Sequence, residues 1–327
     1  MSRPLVRWGI IGCGDVTEVK SGPGFQKAEG AALVAVMRRD RAKADDYARR
    51  HGVPRVHDTA DALIQDPGVG AVYIATPPSS HCDLALRVAA AGKPCLVEKP
   101  MAMNHGECLT MIEAFRTAGQ PLWVAYYRRA QPRFLHIRQM LRDGRIGKVT
   151  SAHIELRYPL TEGYIATRDW HFDPAIAGAG LIFDVGSHCV DLLDFFLGPI
   201  TGVEAFPVNI GGAYGPEDVT TAAFKFESGL VGTGSFNFHA FEKLDRITVV
   251  GSLGELTTPV FSDDDVVVRN ADGAEQMPFV RPDHVHQPLI QTIVNEVNGE
   301  GRCESTGESG ARASRVLDRC VERYYRK

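Results

Sequence analysis

The chain has 327 residues, 44% of them hydrophobic and 23% charged, the composition of a globular protein with length for about two domains. Its 36 basic and 40 acidic residues give a net charge of −4, so bulk electrostatics favours neither nucleic acid nor an anionic membrane as a partner. No apolar stretch approaches the roughly 20 residues of a membrane helix, and the N-terminus enters its first strand without a signal-peptide core, so the expected location is cytoplasmic.

The first predicted strand, Val6–Ile11, runs into Gly12-Cys13-Gly14-Asp15-Val16-Thr17. A strand that stops on Gly-x-Gly and enters a helix offers backbone N–H groups and a positive helix end to a phosphate. Thr17 stands where a third glycine would complete the dinucleotide fingerprint. Further short apolar runs, Ala32–Met37, Ala71–Thr76 and Cys95–Val97, alternate with the predicted helices Arg41–His51, Ser80–Ala91 and Asn104–Ala118. Asn104 and Glu107 have capping-box spacing, Gly119 closes that helix, and the Ser79/Ser80 pair is positioned to cap the one before it. Strand and helix in alternation imply a parallel, doubly wound α/β sheet over residues 1–123.

After Pro121 the rhythm changes. Arg133–Arg142 reads as a helix, and strands follow at Val149–Tyr158, Val203–Ile210, Thr220–Phe226, Leu230–His239, Arg246–Val250 and Val266–Arg269. Glu227-Ser-Gly-Leu230 has the form of a hairpin turn. Residues 124–305 are therefore expected to form an α+β domain with a large, mostly antiparallel sheet. Leu230, Gly232, Gly234, Phe236, Phe238 and Ala240 would share one face, packed on helices within the domain or against a second subunit. A final helix from Thr306, with Ser305 and Glu308 as its capping box, is expected to pack back on the first domain.

Ligands of an open parallel sheet bind beyond the carboxyl ends of its strands. Besides the glycine turn, Ala75-Thr76-Pro77-Pro78-Ser79-Ser80-His81 and Glu98-Lys99-Pro100 fall there. A buried lysine or glutamate is costly without a partner, so the second loop points to chemistry, with an internal Glu98–Lys99 pair as the bland reading. In the second half, Gly178-Ala179-Gly180 leads to Asp184, Gly186 and His188. If a helix begins near Gly186, Asp184 and His188 share its N-terminal end, and a carboxylate beside an imidazole suits a general acid/base. The scattered cysteines lack Cys-x-x-Cys and read as reduced, buried thiols. His284-x-His286 reads as a polar loop, and no metal is implied.

The ordered set Gly12-x-Gly14, Glu98-Lys99-Pro100 and Gly178-x-Gly180-x-x-x-Asp184-x-Gly186-x-His188 resembles the Gfo/Idh/MocA family of NAD(P)-dependent oxidoreductases. The resemblance implies hydride transfer between nicotinamide and a carbinol carbon of a sugar, inositol or dihydrodiol-like molecule. It assigns Lys99, Asp184 and His188 to catalysis. Gly12, Cys13, Gly14, Asp15, Val16, Arg38, Arg39, Thr76, Pro77, His81, Glu98 and Lys99 would hold the cofactor. Tyr126, Arg128, Trp170, His171, Asp184 and His188 would line the substrate, with His171 standing where many relatives carry arginine. A homo-oligomer, dimer or tetramer, through the C-terminal sheet is the expected assembly. The same scaffold also serves NAD-dependent glycosidases and non-catalytic cofactor-binding regulators.

The second predicted strand ends on Arg38-Arg39-Asp40. A carboxylate at position 38 would repel a 2′-phosphate, whereas Arg38 and Arg39 can pair with one, so NADP is preferred over NAD.

Overall fold

The computed structural model describes residues 4–167 and 169–326. In the first unit, β1 (Val6–Ile11), β2 (Ala31–Met37), β3 (Arg55–His57), β4 (Ala71–Ile74), β5 (Cys95–Val97) and β6 (Leu122–Val124) form a parallel sheet of order β3-β2-β1-β4-β5-β6. The order reverses beside β1, the topology of a doubly wound dinucleotide fold. β4 and β5 are buried throughout, which is why they read as unbroken apolar runs rather than alternating ones. Helix Arg41–His51 begins on Asp40, whose carboxylate accepts the Lys43 N–H at 3.2 Å. Helix His105–Ala118 begins on Asn104, which accepts Glu107 N–H at 3.0 Å, while the Glu107 carboxylate reaches back to Met103 N–H rather than to Asn104.

Two expected caps differ. Ser80 makes no side-chain cap to helix His81–Ala90; its hydroxyl bonds Thr76 Oγ1 and the Pro77 carbonyl, closing the turn instead. Thr306, not Ser305, caps the last helix through Ser309 N–H, because the Ser305 hydroxyl donates to the Val124 carbonyl at 2.6 Å.

The chain divides after Gln131, and Pro282–Ala311 returns to the first unit, where a boundary at 123 and a second domain through 305 were expected. The physical reason is helix Gln287–Val297. Its Leu289, Ile290, Ile293 and Val294 are buried in one cluster with Trp8, Phe25, Tyr73 and Trp123. The last helix, Gly307–Tyr325, begins in the first unit, where a side chain on Gly310 would meet Val124 Cγ2 at 2.5 Å, and passes to the second from Arg312 onward.

The second unit carries β7 (Val149–Pro159), β8 (Ile200–Val208), β9 (Val219–Phe226), β10 (Val231–Asn237), β11 (His239–Gly251), β12 (Gly254–Thr258), β13 (Val266–Asn270) and β14 (Gly273–Met277). They form a sheet of order β14-β13-β12-β11-β7-β10-β9-β8, antiparallel except for β7 and β10. β9 and β10 alternate strictly between buried and exposed positions. Gly232, Gly234, Phe236 and Phe238 all point inward, so this apolar face serves the domain's own core. The run Pro174–Leu197 is long and apolar enough to cross a membrane, an exception to the expectation drawn from apolar stretches, but 78% of its apolar window is buried within the protein, as in a core helix.

Candidate active site

In the first unit the glycine turn sits where β1 ends. Gly12 has φ +92°, and a Cβ there would lie 2.8 Å from Thr76 Cγ2 and 2.9 Å from the Ala75 carbonyl, so only glycine lets the turn reach the loop after β4. In front of Gly14 the space is open: the nearest atom to a Cβ there would be Gly12 O at 3.9 Å. A bare backbone facing open space at a switch point fits a pyrophosphate. Cys13 is buried beneath, Asp15 is exposed and Val16 half-buried. Thr17 replaces the third glycine without loss, since its hydroxyl donates to Gly14 O at 2.7 Å. The close packing falls instead on Gly22, whose Cβ would sit 2.2 Å from Thr17 O and Tyr47 Oη.

Arg38 Nη1 donates to Cys13 O at 3.1 Å, tying the end of β2 to the glycine turn, and Arg39 is exposed beside it. Asp40, the acidic residue nearest the end of β2, is committed to capping its helix and pairing with Lys43.

The loops after β4 and β5 are joined by His81. Its buried ring has Nε2 at 2.7 Å from Thr76 O and Nδ1 at 3.1 Å from Pro100 O; burial lowers its pKa, and the neutral ring donates to one of these two carbonyls while packing against the other. His81 thus shapes the loop holding Thr76 and Pro77. Glu98 is buried, 6% exposed. Its Oε1 accepts from the Tyr73 hydroxyl and from His286 Nε2 at 3.0 Å, and its Oε2 accepts the Lys99 N–H at 3.1 Å. Burial pushes this carboxyl up, but the His286 hydrogen bond and charge, the Tyr73 hydroxyl and the Lys99 charge together hold it below the usual carboxylate range. Lys99 itself is half-buried. Tyr126 and Arg128, following β6, are buried rather than an exposed basic turn, and the Arg128 guanidinium lies 4.8 Å from the Tyr127 ring centre.

In the second unit Asp184 lies within a π-helical turn, Ile182–Gly186, and His188 in the first turn of helix Ser187–Leu197. The i→i+5 widening re-aims side chains, which is why such turns recur at functional sites. Asp184 Oδ2 is 3.9 Å from His171 Nε2, and His171 stacks on Trp170 at 3.6 Å between ring centres. Trp170, His171 and Asp184 therefore form one patch. His188 is buried and meets the Phe261 ring edge-on at 5.7 Å. Phe261 is fixed in turn by Asp245, whose carboxylate accepts the N–H groups of Val260, Phe261 and Ser262 at 2.9, 2.6 and 2.9 Å. Upstream, Gly180 N–H donates to Glu217 Oε1 at 2.9 Å, and a Cβ on Gly180 would collide with Glu217 O at 2.6 Å.

Residues 6–126 match the oxidoreductase family, NAD-binding Rossmann fold, and residues 134–257 match the GFO/IDH/MocA C-terminal domain. Oxidoreductase P35 of Formosa agariphila is 36% identical over 315 residues, covering 96% of this chain and 97% of its own. The chain belongs to the Gfo/Idh/MocA family. This Gfo/Idh/MocA oxidoreductase is also 28% identical, over 93% of its length, to 1,5-anhydro-D-fructose reductase of Ensifer adhaerens, of which 92% is covered. Its fold is shared with aldose-aldose oxidoreductase from Caulobacter crescentus complexed with glycerol, at TM-score 0.87 and 23% identity over 98% of this chain and 97% of that one.

His286, Tyr73, Glu217 and Asp245 were not anticipated as site residues. Only His286 carried a signal, as half of His284-x-His286. The pair splits in the structure: His284 bonds the Val19 carbonyl and Lys27 at the surface, while His286 turns inward to Glu98.

Proposed function

We propose that this oxidoreductase is NADP(H)-preferring and transfers a hydride between nicotinamide and the CH–OH or C=O carbon of a sugar, inositol or dihydrodiol-like substrate. The observation that carries the reading is the anchoring of Lys99 by a buried, ionised Glu98 at the carboxyl end of β5. A lysine fixed at that edge of a dinucleotide sheet has a role in chemistry, because packing alone gains nothing from it.

The nicotinamide, when bound, supplies or accepts the hydride. Lys99 donates to the substrate oxygen and stabilises its alkoxide character. His188 takes the hydroxyl proton in oxidation and returns it in reduction. Asp184, with His171, orients a neighbouring substrate hydroxyl, and Trp170, Tyr126 and Arg128 bind the substrate. Gly12, Cys13, Gly14, Asp15 and Val16 hold the pyrophosphate, and Thr76 and Pro77 border the nicotinamide end of the site. Arg38 and Arg39 take the 2′-phosphate, a preference supported by the capping role of Asp40, which removes the nearest carboxylate from the ribose. The seven cysteines, all thiols and six of them buried, suit a reducing cytoplasm.

The test is a substrate panel: 1,5-anhydro-D-fructose with NADPH, and aldoses, inositols and diols with NADP+, followed at the nicotinamide absorbance. Lys99→Met is expected to lower turnover of any active substrate by about a hundredfold or more while leaving NADPH affinity within a few-fold; undiminished turnover overturns the reading. Fluorescence titration should show tighter binding of NADPH than of NADH, and the reverse order removes the NADP preference.

A homo-oligomer is part of the same reading. The inward face of β10 is spent on the core, so the assembly surface is the opposite face, where Val231, Thr233, Ser235, Thr221 and Ala223 are exposed. Sedimentation showing only monomer at micromolar concentration refutes it.

A further inference from the structure

We propose that His286 is a positioning residue for Lys99, acting through Glu98. The inference rests on the reading of Lys99 given above and assigns it a support that lies 188 positions beyond Glu98 in the chain.

The geometry leaves His286 little else to do. It is 1% exposed, and its Nε2 lies 3.0 Å from Glu98 Oε1. Its backbone N–H is bound to Lys20 O at 3.2 Å, and its carbonyl accepts Ile290 N–H at 3.0 Å, which fixes the residue at the start of helix Gln287–Val297. The preceding carbonyl, that of Val285, accepts from Gln131 at 3.3 Å. The ring lies against Tyr127, centres 4.4 Å apart, and among the described residues Nδ1 has no hydrogen-bond partner. The imidazole's one engaged nitrogen is therefore the one facing Glu98.

Glu98 divides its two oxygens. Oε1 receives Tyr73 and His286, and Oε2 receives the Lys99 N–H. Without the His286 donor, a buried carboxylate keeps too few partners for its charge and must rotate or take up a proton. Either response disturbs Oε2, the acceptor that fixes the Lys99 backbone. Tyr127 also carries the Arg128 guanidinium on its ring, so the same imidazole buttresses a second expected site residue.

Two substitutions isolate this role. In His286→Gln the amide nitrogen reaches the place of Nε2, whereas in His286→Asn it stops near the place of Nδ1. Hydrogen exchange of the Lys99 amide, measured in the cofactor-free protein, reads the Glu98 contact without any substrate. Exchange in His286→Asn should be about tenfold faster at Lys99 and unchanged at the sheet amides of Val72 and Cys95, while His286→Gln stays within a few-fold of the parent. Turnover of the best panel substrate should follow the same order, through kcat rather than NADPH affinity. Equal Lys99 exchange in the two variants overturns the proposal. So does exchange that rises uniformly across the sheet, or failure of both variants to fold, since each makes His286 merely structural. Lys99→Met separates the two readings. If it retains turnover, the function reading fails; if it is inactive while His286→Asn behaves as the parent, only this inference fails.

Discussion

Replacing Glu217 by glutamine should stabilise the protein above neutral pH and do nothing in acid. Glu217 is 1% exposed; one oxygen accepts Gly180 N–H and the other the Tyr325 hydroxyl at 2.7 Å. Burial pushes its carboxyl from the ordinary 4.5 up to about 7, with the Asp218 charge adding to burial and the Tyr325 and backbone hydrogen bonds opposing it. Between those values the folded protein keeps a proton that the unfolded chain has released. The contribution of Glu217 to stability is therefore full below pH 4.5, falls as pH rises toward 7, and is flat above it. At about 1.4 kcal/mol per pH unit the interval corresponds to roughly 3 kcal/mol. Glutamine preserves the contacts, its oxygen accepting Gly180 N–H and its nitrogen donating to the Tyr325 oxygen, and it cannot ionise. Glu217→Gln should thus raise Tm by roughly 5 °C or more at pH 8, the gain vanishing near pH 4.5. The assay is thermal unfolding of both proteins across that range, where pH effects common to the two cancel in the difference. A difference that is constant with pH, or a variant less stable at pH 8, refutes the reasoning.

Two further outcomes follow from the site. Gly12→Ala forces a Cβ to within 2.8 Å of Thr76 at φ +92°, so NADPH affinity should fall about tenfold or more with a stability loss of about 1–3 kcal/mol; fluorescence titration and thermal unfolding read the two effects, and unchanged affinity refutes the cradle. Asp245→Ala strips three backbone N–H groups of their acceptor and should cost about 1–3 kcal/mol, with kcat falling more than KM changes as Phe261 loosens against His188; a stability loss with normal turnover would show that Phe261 does not position His188.

Four of the six first-unit strands, and the caps at Asn104 and Gly119, are legible because their signals are local. Val6–Ile11, Arg41–His51 and Cys95–Val97 match their predicted bounds, each punctuated by glycine, proline, Asp40 or burial on both sides. The strands that escaped, β3, β6, β12 and β14, are short or polar: β14 is Gly-Ala-Glu-Gln-Met, exposed over four of its five residues. The domain boundary was misjudged for another reason. The amphipathic pattern of Gln287–Val297 says that the helix is buried on one side, but not which core receives that side. That core is in the first unit, with Trp8 and Phe25.

The site shows the same division at finer scale. Gly12, Glu98-Lys99-Pro100, Asp184 and His188 stand out because turns, strand ends and charged residues in apolar runs are visible within a few positions. Their supports do not. Glu98 depends on Tyr73 in β4 and on His286 near the end of the chain, Gly180 on Glu217 and through it on Tyr325, and Phe261 on Asp245. Each is a polar contact between distant segments, and neither helical nor strand periodicity encodes it. A carboxylate that looks like half of a local ion pair can thus be the centre of a buried network whose other members are unreadable in sequence. Because residues that hold a group fix its geometry as surely as the group's own identity, variation within such a site is expected to enter through His286 and Glu217 as readily as through Lys99 itself.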